Sequence, residues 1–181
     1  MCGINGFFQF GNKAKLEKEQ IKNVIKTMND KIIHRGPDEE GIYVNNNIGL
    51  GMRRLSIIDL SEGSQPIYNE DKTLVIVFNG EIYNFLELRD LLISKGHIFK
   101  THSDTEVIIH SYEEFGVDCV NYFDGMFSFA IYDIKNKKLF IARDRIGEKP
   151  LYYFKNDDFI IFGSELKSLI STGLIKKEIS M

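Results

Sequence analysis

Cysteine follows the initiator methionine directly, and the chain begins Met1-Cys2-Gly3-Ile4. Once Met1 is removed, one residue carries both a thiol nucleophile and a free α-amine. An α-amine has an unperturbed pKa of about 7.7–8.0, close to the neutral range where a general base works best. It can activate its own side chain as a nucleophile. Because cysteine is small enough for methionine aminopeptidase to act before it, we expect removal of Met1 in the cell.

Three further polar clusters fall at the ends of predicted strands or in loops, where side chains can converge. A cysteine enzyme that hydrolyses free glutamine needs oxyanion donors, a cation for the α-carboxylate and an anion for the α-ammonium. Asparagine side chains and backbone N–H groups stabilise oxyanions, and arginine binds carboxylates in a bidentate manner. The three clusters, which supply all of these groups, are Arg53-Arg54, Asn79-Gly80-Glu81 and Ser103-Asp104.

Each cluster also has a purely structural interpretation. These interpretations are a surface position for Arg53 or Arg54, a tight turn at Asn79-Gly80 and stabilisation of a helix N-terminus by Asp104. A papain-like pair of Cys2 and His102 is an alternative source of the base, although the terminal amine makes a histidine unnecessary.

The composition of the 181 residues, with 43% hydrophobic and 27% charged side chains, is typical of a globular domain. The net charge of −3 provides no basic patch for nucleic acid, and no segment is apolar enough for a membrane helix. Two cysteines and the lack of a signal peptide favour the reducing cytoplasm. Cys119 is expected to be a buried hydrophobic residue. The spacing of cysteines and histidines indicates no metal site, and we expect no cofactor.

The elements that must position these clusters alternate between helical and strand periodicity. We predict a buried strand over 2–10, an amphipathic helix over 16–32 and a loop at His34–Asp38 that shapes the pocket. Short strands are expected near 41–44, 48–55 and 74–78, and helix start signals occur at Asn84 and Ser103. After Gly125 the period becomes two, which predicts two hairpins before a last helix near Glu165. The fold class is α+β in one domain, 1–181.

Ordered motifs along the whole chain resemble the glutamine amidotransferase domain of glutamine-hydrolysing asparagine synthetases. The motifs are Met1-Cys-Gly-Ile4, His34-Arg-Gly-Pro-Asp38, Arg53-Arg-Leu-Ser-Ile-Ile-Asp59, Gln65-Pro66, Asn79-Gly-Glu-Ile-Tyr-Asn84, Ser103-Asp-Thr-Glu106, Phe123–Asp133, Ala142–Tyr153 and Gly163-Ser-Glu-Leu-Lys167. This resemblance implies a class II amidotransferase with the four-layer αββα fold of N-terminal-nucleophile hydrolases, in which two antiparallel sheets are packed between helical layers.

The resemblance also implies a role for individual residues. Cys2 matches the nucleophile, and Arg54 matches the arginine that holds the α-carboxylate of glutamine. Asn79 (side chain) and Gly80 (backbone N–H) match the oxyanion hole. The acidic residues near the α-amino group are matched by Glu81 and, more firmly, by Asp104.

Asparagine synthetases also need an ATP-pyrophosphatase domain that uses ATP and magnesium and receives the ammonia. Its Ser-Gly-Gly-x-Asp-Ser signature is absent from these residues. We therefore expect glutaminase activity alone, in partnership with a fused or separate synthetase domain. Another N-terminal-cysteine acylase and an inert regulatory domain are the alternatives. The acceptor of the ammonia, aspartate or a sugar acid, stays open, and a homodimer is one of the oligomeric states left open.

Overall fold

In the computed structural model, residues 2–11, 15–55 and 63–176 are described. The chain divides into two compact units, one formed by residues up to 55 together with those from 150 onward, the other by 56–149. Each unit contains one antiparallel sheet and its own helices. None of the helices among the described residues is long and apolar enough to cross a membrane.

The described residues form nine strands and four α-helices. The strands are β1 (Gly3–Gln9), β2 (Glu39–Asn45), β3 (Ile48–Arg54), β4 (Ile67–Tyr68), β5 (Leu74–Ile82), β6 (Gly125–Asp133), β7 (Lys138–Arg143), β8 (Tyr152–Lys155) and β9 (Phe159–Gly163). The helices are α1 (Lys18–Lys31), α2 (Phe85–Ser94), α3 (Asp104–Phe115) and α4 (Leu166–Ile170). Two 3₁₀ helices lie at Ile33–Arg35 and Gly116–Asn121.

The first unit has a five-stranded sheet in the order β2-β3-β1-β9-β8, with α1 packed on one face. Alternate residues of β1 face this helix, so that Phe7 joins Ile21, Ile25 and Met28 in an apolar core. The helix approaches β3 closely. A Cβ added to Gly49 would lie 2.5 Å from Cγ1 of Ile25, and glycine is therefore required at this position.

The second unit has a four-stranded sheet in the order β4-β5-β6-β7, with α2 and α3 covering one face. Its core joins the even-numbered side chains of β5 to the odd-numbered side chains of β6 and to the helices. Phe127 and Phe129 belong to this core. Cys119 is also fully buried here, which confirms its prediction as a buried hydrophobic residue. Desolvation raises the pKa of its thiol to about 12.

One of the two predicted helix start signals needs correction. Asn84 precedes α2 but makes no cap bond to it, because its side chain is bonded to the carbonyl of Tyr122 (2.9 Å) and to the N–H of Asp124 (3.0 Å). The predicted capping box at Asn84 is therefore wrong. The start signal at Ser103 is confirmed, since its Oγ accepts a hydrogen bond from Thr105 N at 3.2 Å.

Candidate active site

Cys2 lies immediately before β1 and is half-buried. Its Sγ is 3.7 Å from the carbonyl oxygen of Leu55, which is a long and weak S–H contact. Its own carbonyl oxygen accepts a hydrogen bond from Nε of Arg35 at 2.9 Å. The thiol is thus accessible, while the backbone that carries it is fixed by an arginine side chain.

The two adjacent arginines lie on opposite faces of the first sheet, since successive residues of a strand point in opposite directions. Arg53 lies on the α1 side, where its Nη2 is 3.3 Å from Asp30 and 3.4 Å from Glu40. Arg54 lies on the other side, where its Nη1 is 3.2 Å from Glu39. Both guanidinium groups are largely buried and ion-paired.

Strand register places Cys2 on the same face as Arg54. Gly3 is opposite Arg53 in the β1–β3 pair, so that the preceding residue, Cys2, comes opposite Arg54. The first unit therefore carries the thiol and a buried cation on the same face of one sheet, the two groups that a thiol enzyme for an α-carboxylate substrate requires. The rest of the Arg53–Asp59 motif, at 56–59, lies outside the described residues, as does Met1.

Asn79 lies within β5, on the face of its sheet opposite α2 and α3, and is 1% exposed. None of the described residues pairs with its Nδ2, and the same holds for Oγ of Ser128, which lies opposite it in β6. A buried donor without a partner costs free energy and calls for a functional explanation. An oxyanion that forms only during a reaction is one such partner.

Gly80 follows in the same strand, and its backbone N–H points away from β6. Its opposite residue, Phe127, bonds to Asp144 instead, with the carbonyl accepting from Asp144 N (2.8 Å) and the N–H donating to Oδ2 (3.2 Å). In an antiparallel ladder this makes Gly80 and Phe127 a non-hydrogen-bonded pair. A Cβ at position 80 would lie 2.2 Å from the carbonyl oxygen of Met126, and only glycine fits there.

The interpretation of Asn79-Gly80 as a tight turn is therefore wrong. Both residues are in the middle of a nine-residue strand, and Gly80 is not among the glycines with positive φ. Sequence favoured a turn because Asn-Gly is the strongest short hairpin signal. Here the glycine is needed for close strand packing, and Nδ2 of the asparagine is buried without a partner among the described residues.

Asp104 is the first residue of α3, and its Oδ2 accepts a hydrogen bond from Ile82 N at 3.0 Å. Burial raises the pKa of its carboxyl group, backbone N–H donors oppose the shift, and the negative charge of Glu81 adds to it. Glu81 itself is exposed at the end of β5. The second unit thus contains two N–H donors, on Asn79 and Gly80, and two carboxylates, on Asp104 and Glu81.

Arg35 holds the backbone of Cys2 in place, a role that the sequence interpretation missed. It was included in the His34–Asp38 loop, which was interpreted as mainly architectural. In the structure its guanidinium group joins the Cys2 carbonyl to Glu165 Oε1, the latter at 3.4 Å. Glu165 also accepts from His34 Nε2 at 2.8 Å. The signal in the sequence was an arginine within a motif, but nothing in the spacing connected it to position 2.

The chain belongs to the family described as glutamine amidotransferase domain, which matches residues 1–181. Among curated relatives, it is 46% identical to glutamine-hydrolysing asparagine synthetase 2 of Bacillus subtilis, over 94% of this chain and 22% of that protein. It is 45% identical to a putative asparagine synthetase of Methanocaldococcus jannaschii (98% and 36%) and 42% identical to asparagine synthetase 1 of Arabidopsis thaliana (93% and 28%). The chain spans about a third or less of these relatives.

Solved structures share the fold at low sequence identity. The glutamine phosphoribosylpyrophosphate amidotransferase of B. subtilis superimposes with a TM-score of 0.74 at 20% identity, over 95% of this chain and 44% of that one. The structure of an allosteric regulatory enzyme of purine biosynthesis superimposes with a TM-score of 0.78 at 20% identity, over 95% and 43%. The predicted α+β N-terminal-nucleophile hydrolase fold is confirmed.

Proposed function

We propose that this chain hydrolyses L-glutamine to L-glutamate and ammonia through a γ-glutamyl thioester on Cys2. The observation that supports the proposal is the register of β1 and β3, which pairs Gly3 with Arg53 and so puts Cys2 and the buried Arg54 on the same face of the sheet, in a member of the glutamine amidotransferase family. Neither an acylase nor an inert domain explains a free thiol next to a cation suited to an α-carboxylate.

In the first step the α-amine of Cys2, acting through a water molecule, takes the thiol proton. The sulfur then forms a bond to the carboxamide carbon, and the π electrons of the carbonyl move to its oxygen. We assign Nδ2 of Asn79 and the N–H of Gly80 to that oxyanion. Losing one such donor typically lowers the rate by about 10²–10³.

In the second step the tetrahedral adduct collapses, the C–N bond breaks, and the proton held by the amine is transferred to the departing ammonia. A water molecule then attacks the thioester, with the α-amine again accepting a proton. The C–S bond breaks, the proton on the amine returns to the sulfur to restore the thiol, and glutamate leaves after giving its carboxyl proton to solvent. The hydrogen bond from Arg35 to the Cys2 carbonyl fixes the backbone that carries both the sulfur and the amine.

Glutamine is held at its zwitterionic end. We assign its α-carboxylate to Arg54, since guanidinium groups bind carboxylates with two parallel hydrogen bonds. Its α-ammonium group is assigned to Asp104, with Glu81 contributing negative charge nearby. Arg54 is already paired with Glu39, which fixes the orientation of the guanidinium group before substrate arrives.

The partners of the reaction lie outside these residues. We infer that the ammonia passes to an ATP-dependent synthetase domain, because the curated relatives are asparagine synthetases and this chain covers 22–36% of them. The proposed compartment is the cytoplasm, which keeps Cys2 reduced. A homodimer is a further proposal, and multi-angle light scattering of the purified chain tests it.

Labelling with diazo-oxo-norleucine, a glutamine-analogue electrophile, tests the proposal. Intact mass spectrometry should show that Met1 is absent and that one adduct forms, which glutamine suppresses. Cys2→Ala should form no adduct and release no ammonia, whereas Cys119→Ala, the matched control at the other cysteine, should behave as the parent chain. Ammonia release by Cys2→Ala, or labelling at Cys119, would overturn the mechanism.

A further inference from the structure

Four ligand-type side chains converge in the second unit at a place that the glutamine chemistry does not use. This 2-His-2-Glu cluster consists of Glu70, His97, His110 and Glu113. Glu70 follows β4, His97 follows α2, and the other two residues lie one turn apart on α3. One nitrogen or oxygen atom from each residue lies within 4.8 Å of all the others. No described residue that we assign to glutamine belongs to the cluster.

The distances between these atoms match the edges of a small tetrahedron. Nδ1 of His110 is 3.0 Å from Glu113 Oε2 and 3.4 Å from Glu70 Oε2. Nδ1 of His97 is 3.7 Å from Glu113 Oε2 and 3.6 Å from Oε1 of Glu70, the other oxygen of that carboxylate. Zinc bonds of about 2.0–2.2 Å to nitrogen and oxygen give a tetrahedral edge of about 3.3–3.6 Å. The four side chains therefore need only small shifts to ligate one ion.

The outer oxygens of the two carboxylates are fixed by hydrogen bonds, as is usual for ligands of a metal ion. Asn69 Nδ2 donates to Glu113 Oε1 at 2.7 Å, and Ile98 N donates to Glu70 Oε1 at 2.9 Å. The Nε2 atoms of His110 and His97 each lie 3.6 Å from a carboxylate oxygen, of Glu106 and Glu114 respectively, which is too far for a hydrogen bond.

The charge of the region favours a cation. Two further carboxylates lie near the two ligand carboxylates. Glu106 is 1% exposed, and Glu114 is paired with Lys95 at 2.7 Å. A divalent ion bound in the cluster would balance part of this negative charge.

We propose that the 2-His-2-Glu cluster binds one Zn²⁺ ion as a structural site. Two imidazole nitrogens with two carboxylates form a borderline donor set that suits zinc, whereas Mg²⁺ and Ca²⁺ prefer oxygen ligands alone. The ion would connect the segment after β4, the segment after α2 and helix α3. The carboxylates are 26% and 28% exposed and the buried His110 lies behind them, so that an ion can reach the site from solvent.

Sequence spacing predicts no metal site here, since neither the histidines nor the cysteines follow a ligand pattern. The spacing rules apply to ligands that are close in sequence. Here the ligands come from three separate segments, and only His110 and Glu113 are neighbours along the chain.

Metal titration of the Cys2→Ser chain tests the proposal, because this variant removes binding by the N-terminal thiol. Co²⁺ should bind at one equivalent with the intense visible absorption of tetrahedral cobalt, and Zn²⁺ should displace it and raise the thermal unfolding midpoint. His97→Gln and Glu113→Gln, made in the same background, should each weaken binding by at least about tenfold. His102→Gln, an exposed histidine outside the cluster, is the matched control and should bind as the parent does.

Circular dichroism must show that these variants fold, which their partly exposed positions permit, with side-chain exposures of 14% for His97 and 26% for Glu113. Three results would overturn the proposal. The first is the absence of tetrahedral cobalt absorption. The second is equal Co²⁺ binding by the parent and both ligand variants. The third is a midpoint shift by Mg²⁺ as large as that by Zn²⁺. None of these measurements depends on glutaminase activity.

Discussion

Adjacent arginines with similar burial have different roles at the residue scale, because a strand directs them to opposite faces. Arg53 is directed toward α1 and is held by Asp30 and Glu40, so its charge contributes to helix–sheet packing. Arg54 is directed to the face that Cys2 shares. Sequence alone distinguished the two only through resemblance, whereas strand register gives the distinction a physical basis.

Arg54→Gln should raise the KM for glutamine by about 10–100-fold, since hydrogen bonds to charged groups contribute about 1.5–3 kcal/mol. Arg53→Gln, the matched control, should lower the free energy of unfolding with little change in KM. Steady-state kinetics with glutamine and with 4-aminobutanamide, which lacks the α-carboxylate, separates the roles. If the Arg54 variant lost as much activity on 4-aminobutanamide as on glutamine, its assignment to the carboxylate would fail.

Asp104 carries a cost in stability that a role in substrate binding would explain. Burial, with a contribution from Glu81, raises its pKa, so the folded state holds the proton more tightly than the unfolded state does. The resulting contribution to stability is fully present below the unfolded pKa of about 3.9 and is lost as pH rises through the folded pKa. At neutral pH the ionised carboxylate therefore destabilises the fold.

Asp104→Asn should consequently be at least as stable as the parent chain at neutral pH, since an amide oxygen can still accept from Ile82 N. Its KM for glutamine should rise, and the increase in KM that the parent shows as pH falls toward the raised pKa should disappear. Urea denaturation and KM measured between neutral and mildly acidic pH provide the two readouts. A variant that is less stable but binds glutamine normally would show that Asp104 is structural.

At the scale of elements, the N-terminus of α3 determines where Asp104 lies. Ser103 caps this helix by accepting from Thr105 N. Ser103→Ala should cost about 1 kcal/mol of unfolding free energy and increase hydrogen exchange at the first amides of α3, because an orphan donor loses its partner. Ser103→Thr, which keeps the hydroxyl, should lose much less. Equal losses for both variants in urea denaturation would show that the hydrogen bond is unimportant.

The elements were predictable where one local pattern decides the conformation. The first helix, the hairpin turns at Lys135–Lys137 and at Asn156–Asp157, and the cap at Ser103 follow from spacing and turn chemistry, and the structure confirms them. Local patterns were insufficient where a tertiary contact decides. Asn84 bonds to the 122–124 segment instead of its own helix. Gly80 is required by a strand about 45 residues further along the chain.

At the scale of the whole molecule, the proposed roles are divided between the two compact units. The first unit carries the thiol and the carboxylate receptor, and the second carries the oxyanion donors and the ammonium receptor. The sequence therefore indicated which reactive groups are present, but not which of them lie in the same unit. Cys2 and Arg54 are 52 positions apart along the chain, and only the β1–β3 register puts them on the same face of the sheet.

All groups that we assign to glutamine hydrolysis belong to these 181 residues, and no step of the proposed reaction uses a phosphate. We expect the chain to form glutamate and ammonia in equal amounts without ATP or Mg²⁺. Adding aspartate, ATP and Mg²⁺ should produce no asparagine, because the residues contain neither the Ser-Gly-Gly-x-Asp-Ser signature nor a P-loop motif. Chromatography of the amino acids measures all three products. Cys2→Ala, prepared identically, controls for a contaminating glutaminase, and asparagine formation by the parent chain would contradict the division of labour proposed here.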